Sequence, residues 1–491
     1  MSARQAGYPI RALIDSYLFW GKDTRVNDCL KQRHSGGVAH FIRLVLLLKK
    51  LEIHSLTGDY DQGLRLGEQA LAHARDAGLT LGRAMTLLYL SEIYAGKSEF
   101  EKMGEAAQQA LELFTAQGNL VGQAKALNNL GIVYDNLGNL EKAQAYYEQS
   151  LHISEILDDK QGCATCLNSL STLYTYHGDT ERALQLTQRA LSLVEKAGDF
   201  YGQAYCLITI GVIHGRTGNL ALALDYQKRA LALQEKVGDR YAQAVALNNI
   251  AFVEAGLGNY PQAMADYEQS YQLRTVLGDR TGCAQILSNL GKAYSALGDF
   301  EKAVDYQERA LAIRRETGER RYQALSQIFL TTDFLELSDI ARAQTALNEA
   351  QAIAREGLLD NDLVCRLSQA AAAMALEQGE LIKAEQEIES GLLLADSLSS
   401  KRYRAALLLL RAQLKDARED WTCSQADHAE SVNLFGSIGE KAELAKACYY
   451  FGKALLAHRE EEKERWYLGE ARRLFEQIGA KGWLAKLEHV R

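Results

Sequence analysis

The chain of 491 residues contains only 2 prolines, far below the average usage of roughly 5%. It also lacks a long apolar run. The most apolar stretch, residues 41–53, is interrupted by Arg43, Lys49 and Lys50 and is too short to span a bilayer. We therefore expect no membrane segment. Abundant Ala, Leu, Gln and Glu then favour an all-helical protein.

A disulfide framework and a secretory leader are missing as well. The 8 cysteines are scattered, and residues 1–20 carry Asp15 inside their apolar part. We predict reduced thiols in a cytoplasmic protein. Cys163 and Cys166 form a C-x-x-C, but no second pair accompanies them to complete a zinc site, so we interpret them as small packing residues and predict no metal.

Positive charge is in deficit, with a formal net charge of −8 and a pI of about 5.8, which argues against nucleic-acid binding. One basic cluster stands out: Arg309, Arg314, Arg315, Arg320 and Arg321. Glutamates interleave with these arginines, so the cluster is either a solvated helix face or a docking patch for an acidic partner.

Catalytic motifs are also missing. Gly21-Lys22-Asp23-Thr24 lacks the upstream glycine of a phosphate loop, and neither H-E-x-x-H nor G-x-S-x-G occurs. We expect no cofactor, no catalytic residue and no enzymatic activity carried by this chain.

What the sequence does contain is a repeat of 40 residues. One glycine series keeps this spacing, as do an alanine series and a second glycine series in which Asp158 fills one gap: Gly138, Gly178, Gly218, Gly258 and Gly298; Ala143, Ala183, Ala223, Ala263, Ala303 and Ala343; Gly78, Gly118, Gly198, Gly238, Gly278 and Gly318.

Each repeat predicts two helices, A and B. In residues 121–157, Leu127, Leu130 and Tyr134 follow helical spacing, and Gly138 supplies the left-handed conformation that ends helix A. Asn139 is a suitable N-cap for helix B. Because one such hairpin cannot bury its apolar face alone, we predict a stack of hairpins.

The pattern Leu127-x-x-Leu130-Gly131-x-x-Tyr134-x-x-x-Gly138-x-x-x-x-Ala143-x-x-x-Tyr147-x-x-Ser150-Leu151 resembles the tetratricopeptide repeat. The usual period is 34, and the period of 40 here resembles Pins-type adaptors, kinesin light chains and bacterial signalling arrays. The resemblance implies an all-α, right-handed superhelical solenoid of stacked antiparallel helix pairs.

The match is regular between about 118 and 320 and looser elsewhere. We predict a degenerate capping hairpin over residues 1–36, a regular array over 37–320, and divergent hairpins with a terminal cap over 321–491. About eleven hairpins follow the cap. The segment 470–490 resembles the closing segment of helical-repeat regions in large bacterial regulatory ATPases.

The resemblance further implies that A helices line a concave groove that holds a partner peptide or helix. The groove residues would be Asn128, Asn129, Asn168, Tyr176, Tyr205, Asn248, Asn249, Phe252, Asn289 and Lys292. An amide can hold a guest backbone, an aromatic ring can anchor it, and Lys292 can pair with a guest carboxylate. Alternatively, the asparagines bridge neighbouring repeats, Phe252 packs between repeats, and Lys292 is a solvated charge.

We therefore predict a non-catalytic scaffold that binds a protein partner. The first alternative is a ligand-sensing or regulatory module of a bacterial multi-domain signalling protein, which would need a closed pocket. An unfamiliar enzyme would need a titratable pair in a buried cleft, and a passive spacer would have no groove ligand.

Overall fold

The fold is that of a computed structural model, which describes residues 35–57, 60–97, 99–137, 139–176, 178–357 and 359–490. The capping hairpin predicted over residues 1–36 therefore lies outside the described residues, apart from its last two. The glycine predicted to end one A helix, Gly138, also falls outside them.

Within these ranges the chain forms 23 helices and no strand. They are α1 Ser35–Thr57, α2 Tyr60–Asp76, α3 Thr80–Gly96, α4 Phe100–Ala116, α5 Leu120–Asn136, α6 Leu140–Ile156, α7 Lys160–Tyr176, α8 Thr180–Ala197, α9 Phe200–Arg216, α10 Leu220–Val237, α11 Arg240–Gly256, α12 Tyr260–Leu277, α13 Arg280–Leu297, α14 Phe300–Thr317, α15 Arg320–Glu336, α16 Ile340–Arg355, α17 Asn361–Glu377, α18 Leu381–Ser397, α19 Lys401–Ala417, α20 Trp421–Ile438, α21 Lys441–Ala457, α22 Glu461–Ile478 and α23 Lys481–Glu488.

The all-α architecture is confirmed. Odd-numbered helices are the A helices and even-numbered ones the B helices. Helices α1–α22 form eleven pairs, as the sequence predicted, and α23 follows as a short closing helix. A helices begin at 80, 120, 160, 200, 240, 280 and 320, and then at 361, 401, 441 and 481. The divergent C-terminal region thus keeps the same period after one extra residue.

Left-handed residues end the helices where the glycine series predicted them. The described glycines of both series have φ between 64° at Gly118 and 86° at Gly178. Asp158 (φ 50°) and Ser338 (φ 59°) take the same conformation where glycine is replaced. Asn139 caps α6, accepting a hydrogen bond from the Lys142 amide at 3.1 Å.

The chain divides into two compact units. Of the described residues, those up to 213 and residues 277–279 form unit 1, and residues 214–276 and those from 280 onward form unit 2. The division falls inside the region predicted as the regular array. The domain boundaries expected from sequence describe how regular the repeats are, which is a different property from compactness.

In both units the A helices lie on the inner side of the stack. Among the described residues, neighbouring A helices contact one another, for example α3 with α5 in unit 1 and α17 with α19 in unit 2. Next-neighbour B helices make at most sparse contacts of this kind. The A-helix side is therefore the tighter, inner face of each unit.

Unit 2 also closes on itself, because both α21 and α23 contact α13. Trp483 of α23 is 1% exposed and packs its ring against Phe475 and Phe300, with ring centroids 5.6 and 5.7 Å away. Its indole N–H donates to the Ser295 carbonyl at 3.4 Å. We call the space that the A helices α13–α21 surround the lumen of unit 2.

Two glycines allow this closure. A Cβ on Gly482 would lie 2.1 Å from the Gly298 carbonyl oxygen, and a Cβ on Gly298 would lie 2.6 Å from the Trp483 nitrogen. Nearby, the Glu336 carboxylate accepts from Tyr450 Oη at 3.2 Å and pairs with Lys486 Nζ. The closing helix α23 is therefore held by the Gly298–Gly482 backbone contact, by the buried indole of Trp483 and by the pairing of Lys486 with Glu336.

Candidate functional site

The inner face of unit 1 carries exposed apolar side chains. Tyr205 and Val212 of α9 are 49% and 37% exposed, although both lie on an A helix. On α5 the half-buried Asn128 accepts a hydrogen bond from Ser169 Oγ of α7 at 3.1 Å. Tyr176 ends α7, but its side chain lies outside the described residues.

Two further asparagines of unit 1 join neighbouring A helices. Asn129 is 7% exposed and donates to Ser91 Oγ of α3 at 2.7 Å. Asn168 is 2% exposed and donates to Cys206 Sγ of α9 at 3.2 Å. Their amides lie in the seam between repeats. Their role in holding a guest backbone stays a prediction.

Unit 2 repeats the arrangement with its own asparagines. Asn289 of α13 donates to Asn248 Oδ1 of α11 at 2.9 Å, and Asn248 donates to Asn249 Oδ1 at 3.4 Å. Asn248 is 5% exposed, whereas Asn249 and Asn289 are half-buried. The paired asparagines therefore link A helices in both units, whatever else they bind.

The most distinctive feature of the inner face of unit 2 is a row of alternating rings and cations. Lys292 Nζ lies 5.4 Å from the Phe252 ring centroid and 5.6 Å from that of Phe329. The Arg366 guanidinium lies 6.0 Å from Phe329 and 5.2 Å from Tyr403. Each contact is within cation–π range. We call these five residues, one from each of five successive A helices, the cation–aromatic ladder.

The ladder runs obliquely across the repeats. Its first step, from Phe252 to Lys292, is 40 residues, but each later step is 37. Because the A helices keep a period near 40, every later step moves about one helical turn toward the helix N-terminus. Comparison of equivalent repeat positions found Phe252 and Lys292 and missed Phe329, Arg366 and Tyr403. A comparison at a spacing of 37 would have revealed them.

Charged side chains surround the ladder, and most of them are paired. Arg366 contacts the Asp362 carboxylate at 3.1 Å, which also accepts from the Tyr403 hydroxyl. Arg402 Nε lies 3.2 Å from Glu440 Oε2, and Lys446 Nζ lies 2.9 Å from Glu443 Oε1. In contrast, no hydrogen bond or ion pair to the Lys292 ammonium is found within the described part of the chain.

This environment shifts the pKa of several lumen groups. Burial, with the charges of Arg366 and Arg402, lowers the pKa of Lys292 to about 7. Burial raises the pKa of Asp333 to about 7, against a hydrogen bond with Ser295. Burial also raises the pKa of Glu440 despite the nearby Arg402. Lys292 and Asp333 are therefore the two lumen groups closest to a change of charge at neutral pH.

The basic cluster predicted as a possible docking patch is largely occupied by glutamate and aspartate side chains. Arg315 pairs with Glu349 at 2.7 Å, Arg309 lies 3.4 Å from Asp305, Arg320 pairs with Glu356, and Arg321 pairs with Asp360. Arg314 is buried and donates to the Tyr322 carbonyl at 3.1 Å and to Ser326 Oγ at 2.6 Å. Arg314 is thus a packing residue and cannot meet a partner at the surface.

The cysteines of the described ranges are free thiols, and Cys163 and Cys166 are buried in the packing of unit 1. No cluster of three or more potential metal ligands occurs there. No helix in these ranges is long and apolar enough to cross a membrane. The titratable groups of the lumen keep the enzyme alternative open, so the absence of activity stays an expectation.

Within each unit, stacked helix pairs with an inner face of A helices define a helical-repeat solenoid. The model of the family described as "Tetratricopeptide repeat" matches residues 82–156, 122–196, 202–275, 242–316 and 282–356. These matches cover more than half of the chain. The chain belongs to the tetratricopeptide repeat family, and such repeats are protein-interaction or regulatory modules.

Solved structures show similar folds at low identity. A signal transduction ATPase with numerous domains from Pyrococcus horikoshii, which has a tetratricopeptide repeat sensor, is 19% identical with a TM-score of 0.43, over 67% of this chain and 51% of that one. This chain thus spans about half the length of that protein. The apo form of RapI is 15% identical with a TM-score of 0.43, over 55% of this chain and 97% of that one. A Rap protein complexed with competence and sporulation factor is 14% identical with a TM-score of 0.35, over 91% and 99%. No curated protein sequence matches the chain.

Proposed function

We propose that the chain is a non-catalytic binding module whose inner A-helix faces capture a segment of a protein partner. The observation that carries this proposal is the exposure of aromatic side chains there. Phe252 remains 49% exposed between the buried residues Ala251 and Val253. An exposed ring on a concave helix face is a typical anchor for a bound segment.

The two units would contribute differently to capture. In unit 1, Tyr205 of α9 would supply an apolar anchor and Asn128 of α5 a half-buried amide. In unit 2, Phe252, Lys292, Asn249 and Asn289 would contact the guest. The buried amides of Asn129, Asn168 and Asn248 would hold the A helices at the spacing that the guest requires.

The test compares inner-face variants with an outer-face control. The purified chain is immobilised, a lysate is passed over it, and retained proteins are identified by mass spectrometry. The variants are Tyr205→Ala and Phe252→Ala, and the control is Ile382→Ala, which removes a side chain 73% exposed on the B helix α18. A partner lost from either inner-face variant and kept by the control supports the proposal. A partner lost only from the control would move the site to the B-helix face.

A second candidate is a ligand-sensing module, which the closure of unit 2 favours. The contacts of α21 and α23 with α13 surround the lumen in the way that the sensor alternative requires. Its test is a thermal shift with a panel of metabolites, because a ligand at a hundred times its Kd adds about 2.7 kcal/mol to stability. A flat response to every metabolite would count against it.

A further inference from the structure

We propose that the cation–aromatic ladder of unit 2 recognises a carboxylate of the captured segment, which docks on the Lys292 ammonium between Phe252 and Phe329. This inference rests on the proposed function and gives the partner a chemistry. The partner would present an acidic segment, which would bind at the Lys292 end of the ladder.

The first argument is the internal precedent at the other end of the ladder. There the Asp362 carboxylate accepts from the Tyr403 hydroxyl and contacts Arg366 at 3.1 Å. A cation that packs on a ring thus already holds a carboxylate in this structure. Lys292 repeats the cation and the rings, but no carboxylate of the described residues fills the equivalent place.

The second argument concerns the charges around Lys292. Arg402 is beside Glu440 and Lys446 is beside Glu443, so these lumen cations already have acidic partners. A partly buried cation without such a partner is costly, and a guest carboxylate would lower that cost. A guest ammonium would instead meet Lys292, Arg366 and Arg402 and be repelled.

The third argument is access. Phe252 is 49% exposed, so the end of the ladder next to Lys292 is open to solvent. At the opposite end Tyr403 is 6% exposed and already engaged with Asp362. A guest can therefore reach Lys292 first and stack apolar parts of its chain on Phe252.

The test uses three N-acetylated hexapeptides, chosen to separate side-chain from terminal carboxylates. Acetyl-hexaglutamate amide carries only side-chain carboxylates, acetyl-hexaglutamine amide carries none, and acetyl-hexaglutamine with a free C-terminus carries only the terminal one. Affinity is measured by isothermal titration calorimetry on the full chain. We expect either carboxylate peptide to bind more tightly than the neutral one. A chain that does not distinguish the three overturns the proposal.

Variants then locate the binding. Lys292→Gln should weaken the binding of hexaglutamate about ten-fold, the size expected for one lost charge-assisted hydrogen bond. The matched control Lys383→Gln removes an exposed ammonium of the B helix α18, which pairs with Glu380, and should leave the affinity unchanged. Equal losses in both variants would indicate attraction by general charge and overturn the site. Oligothymidylate carries phosphates and no carboxylate. If it binds more tightly than hexaglutamate, the proposed carboxylate site is also overturned.

A pH series gives an independent readout. Because the carboxylate binds protonated Lys292, the affinity should fall as pH rises above about 7. Lys292→Arg should bind with a flat profile to pH 9, since arginine keeps its charge. Arg366, Arg402, Asp362 and Glu440 also act on the pKa of Lys292, and Lys292→Arg removes none of these groups. A profile that is unchanged by Lys292→Arg would exclude Lys292 as the group that titrates.

Failure of this inference differs from failure of the proposed function. If Phe252→Ala releases a captured partner but Lys292→Gln does not, the inner face binds a segment and the carboxylate reading is wrong. If no inner-face variant releases any partner, the proposed function itself fails, whatever hexaglutamate does.

Discussion

Units 1 and 2 are built from the same 40-residue hairpin, yet they use their inner faces in opposite ways. Unit 1 leaves apolar side chains such as Tyr205 and Val212 exposed along its A helices. In unit 2, α21 and α23 return to α13 and enclose a lumen. This lumen holds several cation–carboxylate pairs and also Lys292, which packs on aromatic rings. Identical local rules therefore allow either an exposed face or a closed lumen. The deciding residues are few and lie far apart in the sequence.

The closure of unit 2 gives the largest expected effect. Trp483→Ala removes a fully buried indole that packs on Phe300 and Phe475, and should destabilise unit 2 by about 3–5 kcal/mol. Hydrogen exchange monitored by mass spectrometry would report the loss in unit 2 while unit 1 keeps its protection. The control Trp466→Ala removes an indole that is 60% exposed. Equal effects of the two substitutions would mean that closure does not stabilise the unit.

A glycine pair separates the closing contact from backbone strain. Gly298 and Gly318 have φ of 80° and 76°, so alanine is strained at both. Only at Gly298 would the new Cβ meet another segment, at 2.6 Å from the Trp483 nitrogen. We expect Gly298→Ala to cost about 1–3 kcal/mol more than Gly318→Ala in urea unfolding, the usual penalty of overpacking. Equal losses of unfolding free energy in the two variants would show that the Gly298–Trp483 contact adjusts to a new Cβ without cost.

The seam of unit 1 provides the next test. Asn129→Ala leaves Ser91 Oγ buried without its donor and should cost about 1–3 kcal/mol. The double variant with Ser91→Ala should recover part of this loss, since both polar partners are then gone. Urea denaturation measures the four free energies. Strict additivity of the two single losses would show that the amide is not a structural bridge.

Two groups in the lumen of unit 2 should make the stability of the chain depend on pH. The pKa of Asp333 is raised from an ordinary 3.8 to about 7 in the folded chain. The free energy of unfolding should therefore fall as pH rises from 3.8 to about 7. Lys292 has its pKa lowered from 10.5 to about 7, so stability rises as pH rises from 7 to 10.5. Stability profiles of Asp333→Asn and Lys292→Met should each lose one slope. Unchanged profiles would contradict this electrostatic picture.

The surface arginines give the smallest expected effect. Arg315→Ala breaks a pair with Glu349 in which both side chains are about half exposed. Such pairs contribute about 0.2–1 kcal/mol, and salt screens them. Thermal melts at low and high ionic strength should differ from the native chain only at low salt. A loss that persists at high salt would indicate a packing role for the arginine stem.

Local sequence signals predicted much of the fold. The two glycine series located the helix ends, and Asp158 was recognised as the residue that fills a missing glycine position. These features could be predicted because each depends on one residue and its own backbone. The closure of unit 2 depends on contacts such as Trp483 with Phe300, which are 183 residues apart. Hairpin patterns give no information about such contacts.

The candidate site was predicted in part. Phe252 and Lys292 were predicted to line the groove, and the structure brings them together. Phe329, Arg366 and Tyr403 were not predicted as site residues, because the superhelix places residues of different repeat positions side by side. A buried asparagine such as Asn129 was assigned both a seam role and a guest role. Its bond to Ser91 now accounts for the seam role alone.

The close approach of Gly298 and Gly482 has a consequence for how this chain can change in length. Repeat arrays grow and shrink by duplication or loss of whole hairpins. A hairpin inserted between α15 and α21 would carry α23 past α13 and remove the seat of Trp483. The number of hairpins in unit 2 is therefore fixed by geometry. In the described part of unit 1, the main helix contacts join near neighbours in sequence, such as α3 with α5, so the same insertion would mainly disturb the hairpins beside it.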